Sequence, residues 1–590
     1  MCGIFGYIGS RSDSFKIVLD GLKRLEYRGY DSWGIAVALS PRIYSFKKIG
    51  AIGTIEGVDL PQSGVAIGHT RWATHGGVTD VNAHPHFSSD KSFVLAQNGM
   101  VENFEDLKAL LLKKGYKFKT QTDTEVIVRL IESKVKNLDN LEKAVREAFG
   151  GLRGRNTIII LTNEGKVIAC RNGSPLVVGK AKNGDVYFSS DILSFASLID
   201  YVFVADNGQM IIGDKSGIEV FDIKNGKKMP ARFKKTGFAG QKADKEGFEH
   251  FMLKEIFESG EVIRVLLAQD KKKYVDFVKE VKNAKRIFTI GSGTAGAAAA
   301  QIAYFLRSIA KINVVALVGA DAFEYFNLFG KGDLLISPSQ SGETADVLEV
   351  LEIARKKGVK IASFVNMPGS MMTKMSDFAF MAGAGPEICV MSTKVFTSMV
   401  SWGYLLAKTV GGDYKEAILN LSKLSREIDK YIADAKNLES IKAIATKLSK
   451  KDHVFLLGKA ANFQIIREGM VKIIEASYKH AHAIPAGDLK HYAITLMEKC
   501  MPVVVVVSND EVKNDVLSAV SQVKARGADV YGIAPFDHKD FSTRITVPDL
   551  GETAAIFNVV VLQLIGYFMA VALGNNVDRP RNIAKSVTVK

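Results

Sequence analysis

The feature of this chain that most limits its fold is a series of motifs that occurs twice in its second half. In each copy an apolar run that ends in glycine is followed by a second apolar run and then by a helical pattern. Gly291 and Gly458 lie 167 residues apart, and Ser337 and Ser508 lie 171 residues apart. This spacing indicates two copies of one domain. Because strands alternate with helices in each copy, we predict two α/β domains with parallel sheets.

A different pattern occupies the first part of the chain. Short runs of alternating apolar and polar residues are separated by turn-forming pairs such as Asn183-Gly184. Alternation with a period of two is typical of strands with one buried face, so we predict mostly antiparallel sheet and a few helices. The predicted strands are 92–96, 157–162, 166–170, 185–189 and 209–213. The clearest predicted helices are 102–114 and 123–134.

The change of pattern divides the chain into segments. A single hydrophobic core rarely grows beyond about 250–300 residues, so a chain of 590 residues needs several domains. The predicted segments are an antiparallel α+β domain at 1–236, a Lys-rich linker at 237–247, α/β domains at 248–425 and 426–574, and a tail at 575–590.

The net charge limits the classes of partner, and the cysteines indicate the redox compartment. Lys and Arg number 78 against 63 Asp and Glu, a formal net charge of +15. This excess fits an anionic partner such as nucleic acid, lipid or a phosphorylated metabolite. We find no basic stripe with interleaved aromatic residues, so nucleic acid is not favoured. The scattered cysteines indicate a reducing compartment without disulfides or a zinc site: Cys2, Cys170, Cys389 and Cys500.

One apolar stretch requires a choice between a membrane span and a core helix. Residues 554–574 are long enough to cross a bilayer, but Asn558 and Gln563 lie in the middle. We therefore predict a helix that is buried in the core or in a subunit interface. Arg11 and Asp13 interrupt any apolar run near the first residue, so no signal peptide is expected and the predicted location is cytoplasmic.

Cys2 can combine a nucleophile and a base on one residue. Removal of Met1 would leave the α-amino group on Cys2 itself. An α-amine titrates near pH ~8 and a thiol near ~8.5, so the amine can take the thiol proton while the sulfur attacks a carbonyl. The alternative is that Cys2 is a small buried residue at the start of a strand.

Several polar residues downstream allow two readings each. Asn98 and Gly99 could hold a developing oxyanion, or they could form a type I′ hairpin turn. Arg71 could clamp a carboxylate, or it could belong to an ordinary surface ion pair. Asp123 could receive an ammonium group, or it could be a helix N-cap.

Taken together, these motifs resemble the glutaminase domain of class II glutamine amidotransferases, which use an N-terminal nucleophile. The matching segments are CGI (2–4), YRGYDS (27–32), HTRWATHG (69–76), NAHPH (82–86), NG (98–99) and QTDTE (121–125). The resemblance implies that Cys2 is the nucleophile and that Asn98 and Gly99 form the oxyanion hole. It also implies three residues that bind glutamine: Arg71, Thr74 and Asp123.

In the second half, the segment SQSGET (339–344) lies between an apolar strand and a helix. Hydroxyl and backbone N–H groups at a helix N-terminus suit a phosphate group, although the same residues could simply cap the helix. GSGTAG (291–296) matches the GxGxxG pattern of nicotinamide dinucleotide sites. However, the loop recurs at 458–461 without that spacing.

The second half resembles paired sugar isomerase domains, and nearly the whole chain resembles the family of glutamine:fructose-6-phosphate aminotransferases (isomerising). The segments that match are SQSGET, GPEICVMSTK (385–394), 467–491 and RPRNIAKSVTVK (579–590). The resemblance implies a sugar phosphate bound by Ser339, Gln340, Ser341 and Thr344, with Ser392 and Lys394 nearby. It also implies proton transfer between C1 and C2 by Glu475, assistance in ring opening and proton handling by Lys472 and His491, and an imine with the ketose that Lys585 forms or stabilises. Taken singly, Glu475 could be a helix-surface charge and Lys585 part of a solvated tail.

The expected protein is therefore a cytoplasmic homodimer that hydrolyses glutamine, passes ammonia internally, and converts fructose 6-phosphate to glucosamine 6-phosphate. The resemblance implies no metal or redox cofactor. The chain departs from the family pattern at Ala295, where a serine is expected, and at Tyr492, where glycine is usual. These departures keep two alternatives open, namely another sugar phosphate as acceptor and a non-catalytic sugar-phosphate sensor.

Overall fold

The computed structural model describes residues 2–53, 58, 60–235 and 244–587, which form two compact units. The first unit spans Met1–Lys242 together with Ala584–Lys590, and the second spans Ala243–Ile583. Residues 237–243 of the predicted linker lie outside the described residues. Both predicted α/β domains therefore lie within one compact unit.

The described part of the first unit consists of strands and four helices. The strands are β1 Gly3–Ile8, β2 Ser32–Leu39, β3 Arg42–Ile49, β4 Val65–Arg71, β5 His86–Phe87, β6 Phe93–Gly99, β7 Asn156–Thr162, β8 Val167–Asn172, β9 Val177–Lys180, β10 Val186–Ser189, β11 Tyr201–Val204, β12 Gln209–Asp214, β13 Gly217–Asp222, β14 Lys228–Met229 and β15 Lys234–Lys235. The helices are α1 Ser14–Leu25, α2 Phe104–Lys113, α3 Asp123–Leu138 and α4 Leu141–Gly150.

These strands form two antiparallel sheets that share a core. The sheet orders are β15-β11-β9-β10-β1-β4-β2-β3 and β14-β13-β12-β8-β7-β6-β5. Side chains alternate between the faces of a strand, so Val94 and Ala96 of β6 pack in the core between the sheets. Phe93 and Leu95 point the other way and pack with apolar residues of α3 and α4. With α1 against β1 and β4, the unit is layered as helix, sheet, sheet and helix. The prediction of antiparallel sheets between helices is confirmed.

The described part of the second unit alternates strands and helices. Its helices are α5 Phe251–Phe257, α6 Ser259–Leu267, α7 Lys271–Asn283, α8 Thr294–Ser308, α9 Ala345–Lys356, α10 Met371–Met375, α11 Lys394–Gly411, α12 Tyr414–Ala433, α13 Ala435–Ser449, α14 Ala461–Ser477, α15 Lys513–Lys524 and α16 Ala554–Leu573. Its strands are β16 Ile287–Gly291, β17 Val314–Val318, β18 Leu334–Ser339, β19 Lys360–Val365, β20 Phe378–Met381, β21 His453–Gly458, β22 His480–Pro485, β23 Pro502–Val506, β24 Asp529–Ala534 and β25 Thr543–Thr546.

The two sheets of this unit repeat one topology. Their orders are β17-β16-β18-β19-β20 and β22-β21-β23-β24-β25, and every pairing is parallel. Gly291 ends β16 and Gly458 ends β21, so the repeat found in the sequence is confirmed as a repeated sheet. Ligands bind open parallel sheets at the carboxyl ends of strands, where the strand order reverses. In the first sheet that point lies between β16 and β18.

Helix α16 is a core helix of the second unit. Among the described helices, it is the one that is long and apolar enough to cross a membrane. Its most apolar 18 residues have a mean hydropathy of 2.2, and 78% of this stretch is buried. It packs against α13 and α14. The Asn558 amide donates to Asn462 Oδ1 at 3.1 Å, and the Gln563 amide donates to the Thr393 carbonyl at 3.1 Å. The side-chain NH2 groups of both residues are thus bonded within the protein, which agrees with the predicted core position.

Candidate functional site

Cys2 directly precedes β1 in the sequence, and its sulfur lies beside Trp72, the residue that follows β4. The backbone N–H of Trp72 donates to Cys2 Sγ at 3.3 Å. Burial raises the pKa of this thiol, whereas the Trp72 N–H and the charge of Arg71 lower it. The net effect raises the pKa, so the donor and the cation offset only part of the cost of burying the thiolate, which is the reactive form. Met1 lies outside the described residues.

Arg71 is a buried cation that has no carboxylate partner among the described residues. It ends β4 and is only 3% exposed. Its guanidinium donates to three consecutive carbonyl groups of the following loop, those of His75, Gly76 and Gly77. The alternative of a surface ion pair is therefore wrong. A planar, buried guanidinium without a counter-charge suits the carboxylate of a bound amino acid.

Asp123 supplies a buried negative charge near the same thiol. Its Oδ2 accepts from the Val101 N–H at 2.9 Å and from the Gln97 side-chain amide at 3.5 Å. Burial raises the pKa of Asp123, and the Val101 N–H opposes this shift. The N-cap of α3 is Thr122, whose side chain accepts from the Glu125 N–H, so the N-cap alternative for Asp123 is wrong. The charges of Asp123 and Arg71 both act on Cys2.

Asn98 and Gly99 end β6 and do not form a hairpin. Their register partners on β7 are Thr157 and Asn156, and helices α2 to α4 lie between the two strands in sequence. The alternative of a type I′ turn is therefore wrong. Both polar atoms of the Asn98 side chain are buried and lack a partner among the described residues. A buried, unsatisfied amide is costly unless a ligand completes its hydrogen bonds, as an oxyanion would.

Replacing Gly99 with alanine is expected to lower glutamine hydrolysis roughly 100-fold, the effect of losing one oxyanion donor. Gly99 has φ of 128°, and an added Cβ would lie 2.0 Å from the Arg155 carbonyl oxygen, so the backbone must move. The measurement is glutamate release by the purified variant. Gly217→Ala is the matched control, because Gly217 has φ of 139° but nothing within 4 Å of the new Cβ. Equal losses in both variants would contradict the assignment.

Two supporting groups of this site were not assigned from the sequence. Arg28 donates to the Cys2 carbonyl at 3.4 Å and forms a buried ion pair with Asp191 at 3.2 Å. Asp31 accepts from the Ala73 N–H at 2.8 Å and so holds the loop after β4. Arg28 and Asp31 lie in the YRGYDS motif, which could have indicated them, whereas nothing near Asp191 marks it. Thr74 lies in the same loop and is exposed.

In the second unit, the SQSGET segment connects β18 to α9. Ser339 Oγ accepts from the Gly342 N–H at 2.8 Å, and Ser341 Oγ accepts from the Glu343 N–H at 3.2 Å. Thr344 is the N-cap of α9, but its side chain makes no capping hydrogen bond. The loop lies beside the point where the strand order reverses. It therefore presents hydroxyl and N–H groups, with Gln340, where a phosphate group is expected.

Lys472 and Glu475 form the charged centre of the predicted sugar site. Lys472 is fully buried, and its Nζ lies 2.6 Å from Glu475 Oε2 and donates to Thr294 Oγ1 at 3.0 Å. Glu475 is 25% exposed, so it is not the fully solvated helix charge of the alternative reading. The sequence did not indicate Glu468, a fully buried carboxylate whose Oε1 lies 3.3 Å from Lys472 Nζ.

The remaining candidate residues for the sugar site lie in different segments of the chain. Ser392 Oγ is buried without a partner in the described chain, and Lys394 forms an ion pair with Glu258 at 2.6 Å. His491 is exposed, as is its neighbour Tyr492. Lys585 is half-buried and belongs with Ala584–Lys590 to the first unit. Ala295 lies in the first turn of α8, and Ser292, just before α8, has a buried hydroxyl with no partner among the described residues.

Comparisons with known proteins match the two halves of the chain to different families. The glutamine amidotransferase domain family matches residues 69–197, and the SIS domain family matches residues 280–409 and 447–573. Proteins named glutamine–fructose-6-phosphate aminotransferase (isomerizing) are 36% identical over 604 residues in Pyrococcus horikoshii and 36% over 620 residues in Chlorobaculum tepidum. In both cases all of each chain is covered. The solved C-terminal domain of glucosamine-fructose-6-phosphate aminotransferase from Francisella tularensis is 31% identical, with a TM-score of 0.53, over 57% of this chain and 100% of its own.

Proposed function

The chain belongs to the glutamine–fructose-6-phosphate aminotransferase (isomerizing) family, and we propose that it makes glucosamine 6-phosphate and glutamate from fructose 6-phosphate and glutamine. The observation that carries this proposal is the similarity to such aminotransferases over the full length of both chains. A match to a single domain would support only glutamine hydrolysis or only sugar binding. Both functions are supported here, in one chain.

In the first unit, Cys2 attacks the side-chain amide of glutamine. Arg71 binds the substrate carboxylate and Asp123 binds the α-ammonium group, since neither buried charge contacts an opposite charge in the part of the chain that the structure describes. The oxyanion that forms is held by the Asn98 amide and the Gly99 N–H. The C–N bond breaks, ammonia leaves, and water hydrolyses the thioester to release glutamate. The α-amine of a processed Cys2 is the base.

In the second unit, the phosphate binds at the SQSGET loop and the sugar reaches Glu475. Lys585 first condenses with the C2 carbonyl of fructose 6-phosphate, and water leaves. Ammonia then adds at C2 and the Lys585 amine leaves, which gives the ketose imine. Glu475 removes a proton from C1 and returns a proton to C2, which converts the ketose imine to the aldehyde of the amino sugar. Lys472, whose Nζ lies 2.6 Å from Glu475 Oε2, holds the Glu475 carboxylate in position. His491 assists ring opening.

We further propose that the enzyme is a cytoplasmic homodimer that binds neither membranes nor nucleic acid. An exposed apolar surface next to β17 supports the dimer. Strand β17 is at the edge of its sheet, Val318 is 51% exposed, and Phe323 is 80% exposed. Apolar side chains that cluster on a surface commonly mark an interface. In the dimer, the exposed His491 can reach the site of the second copy.

The experiment that tests the proposed function is incubation of the purified protein with glutamine and fructose 6-phosphate. We expect glutamate and glucosamine 6-phosphate in equal amounts, measured by coupled assay and mass spectrometry. Glutamate without an amino sugar phosphate would overturn the assignment of the acceptor. A parallel screen of other ketose and aldose phosphates would then identify the acceptor. Binding of a sugar phosphate without any turnover would indicate a sensor.

A further inference from the structure

A second carboxylate is buried behind the catalytic pair of the sugar site. Glu468, Lys472 and Glu475 follow one another at intervals of four and three residues, so they share one face of α14. Glu468 is fully buried, and its Oε1 lies 3.3 Å from Lys472 Nζ. Thr294, the first residue of α8, donates to the same oxygen at 3.4 Å. Glu468 Oε2 has no partner in the described chain. A single buried ammonium group is therefore flanked by two carboxylates.

The two carboxylates differ in how easily they hold a charge. Burial raises the pKa of Glu468 to about 7, and Lys472 only partly offsets this effect. Burial alone would lower the pKa of Lys472, but Glu468 and Glu475 outweigh it and raise that pKa. Lys472 is therefore always charged near neutral pH, whereas Glu468 changes from neutral to ionised as the pH rises through about 7.

The charged groups that face Glu468 are Lys472 and Glu475 of its own helix. Helix α8 contributes the hydroxyl of Thr294, and α16, which packs against α14, has no acidic or basic residue. His453 and His480 begin β21 and β22 and are exposed, whereas His482 lies in the middle of β22 and contacts the rings of Phe455 and Tyr492. The ionisation of Glu468 thus depends on Lys472, Glu475 and the hydrogen bond from Thr294.

We propose that Glu468 is a positioning residue for proton transfer, the second counter-charge that holds Lys472 when Glu475 becomes neutral. The inference rests on the proposed function and deepens its isomerisation step. When the C1–H bond breaks, the proton passes to the Glu475 carboxylate and the electron pair remains in the C1–C2 enolamine. Glu475 is then neutral, so Lys472 loses one of its two counter-charges. Ionised Glu468 keeps the ammonium group paired until Glu475 returns the proton to C2.

The test uses Glu468→Gln, which keeps the shape of the side chain and removes its charge. The rate at which the C1 proton of fructose 6-phosphate exchanges with deuterated solvent is measured across pH for the full-length enzyme, because the free ammonia supplied by an ammonium salt would itself decrease as the pH falls. The wild type should lose activity as the pH falls through about 7, the pKa of Glu468. Glu468→Gln should lack this acid limb and show kcat lowered about 10- to 100-fold, the scale of a misplaced reacting group. The KM for fructose 6-phosphate should change less than about threefold, because Glu468 acts on proton transfer and not on binding.

Two further variants check that a change in the acid limb results from the charge of Glu468. Thr294→Val removes the hydrogen bond that lowers the pKa of Glu468, so the acid limb should move to higher pH. Glu416→Gln is the matched control, because Lys408 is also flanked by two carboxylates, Glu416 and Glu552, each at 3.0 Å. This control should keep the wild-type profile.

Persistence of the wild-type acid limb in Glu468→Gln would overturn the proposal, whatever the size of the rate loss. If Glu468→Gln does not fold, as judged by thermal unfolding, an unmoved limb in Thr294→Val would overturn the proposal instead. Failure of the proposed function is a different result. In that case the wild-type enzyme itself makes no amino sugar phosphate from glutamine and fructose 6-phosphate.

Discussion

Replacement of Cys2 by alanine is expected to lower glutamine-dependent synthesis at least about 1,000-fold, since the loss of a covalent nucleophile has effects of this size or more. No other described thiol can replace it. Cys170 and Cys389 are buried, and Cys500 belongs to the second unit. Synthesis from an ammonium salt should continue at a rate close to that of the wild type, because the sugar residues on α14 are unchanged.

Both nitrogen donors should be compared in the same preparation, with amino sugar phosphate as the readout. Cys500→Ala is the control, because Cys500 is an exposed free thiol and its loss should change neither rate. Glutamate release by Cys2→Ala at more than a tenth of the wild-type rate would rule out Cys2 as the nucleophile. Loss of the ammonia-dependent reaction as well would indicate general misfolding, which thermal unfolding would detect.

Replacement of Glu475 by glutamine should stop amino sugar formation and leave glutamine hydrolysis intact, the reverse of what is expected for Cys2→Ala. The amide cannot accept the C1 proton, so synthesis from either nitrogen donor should fall about 100- to 10,000-fold, the usual contribution of a general base. Glutamine hydrolysis at Cys2 should persist, because Glu475 belongs to the second unit. The variant thus separates glutamate formation from amino sugar formation.

The direct measurement for this variant is exchange of the C1 proton of fructose 6-phosphate with deuterated solvent, followed by NMR. Exchange should be lost in Glu475→Gln and retained in Glu439→Gln, a control on the exposed surface of α13. Exchange at the wild-type rate in Glu475→Gln would show that another group removes the proton.

Much of the fold could be predicted because its signals are local. A period of two marked the strands of the first unit, and alternation of strands with helices marked the second. The repeated motifs predicted the repeated sheet, since Gly291 and Gly458 end equivalent strands. Helix α1 was not singled out, although Val18 and Leu22 pack against the sheet over Gly68. Its apolar face is short and lies between segments that are dominated by strand patterns.

The candidate residues could be listed from motifs, but not their contacts. Each of three alternative readings was plausible for an isolated residue or pair: a turn at Asn98-Gly99, an N-cap at Asp123 and a surface ion pair at Arg71. The structure excludes all three, because the strand pairing, the position of α3 and the burial of Arg71 depend on distant segments.

The sequence by itself determined the periodic elements and the duplication and pointed to Cys2 as the candidate nucleophile, because these depend on residue types and on spacing within single elements. Only the tertiary structure decided which polar groups share a buried site. Thr294 bonds Lys472 across 178 positions of the chain, and Arg28 pairs with Asp191 across 163. Burial, and the changes in pKa that follow from it, result from chain segments that are remote in sequence. For that reason the charge state of Glu468 could not be inferred from the helix in which it lies.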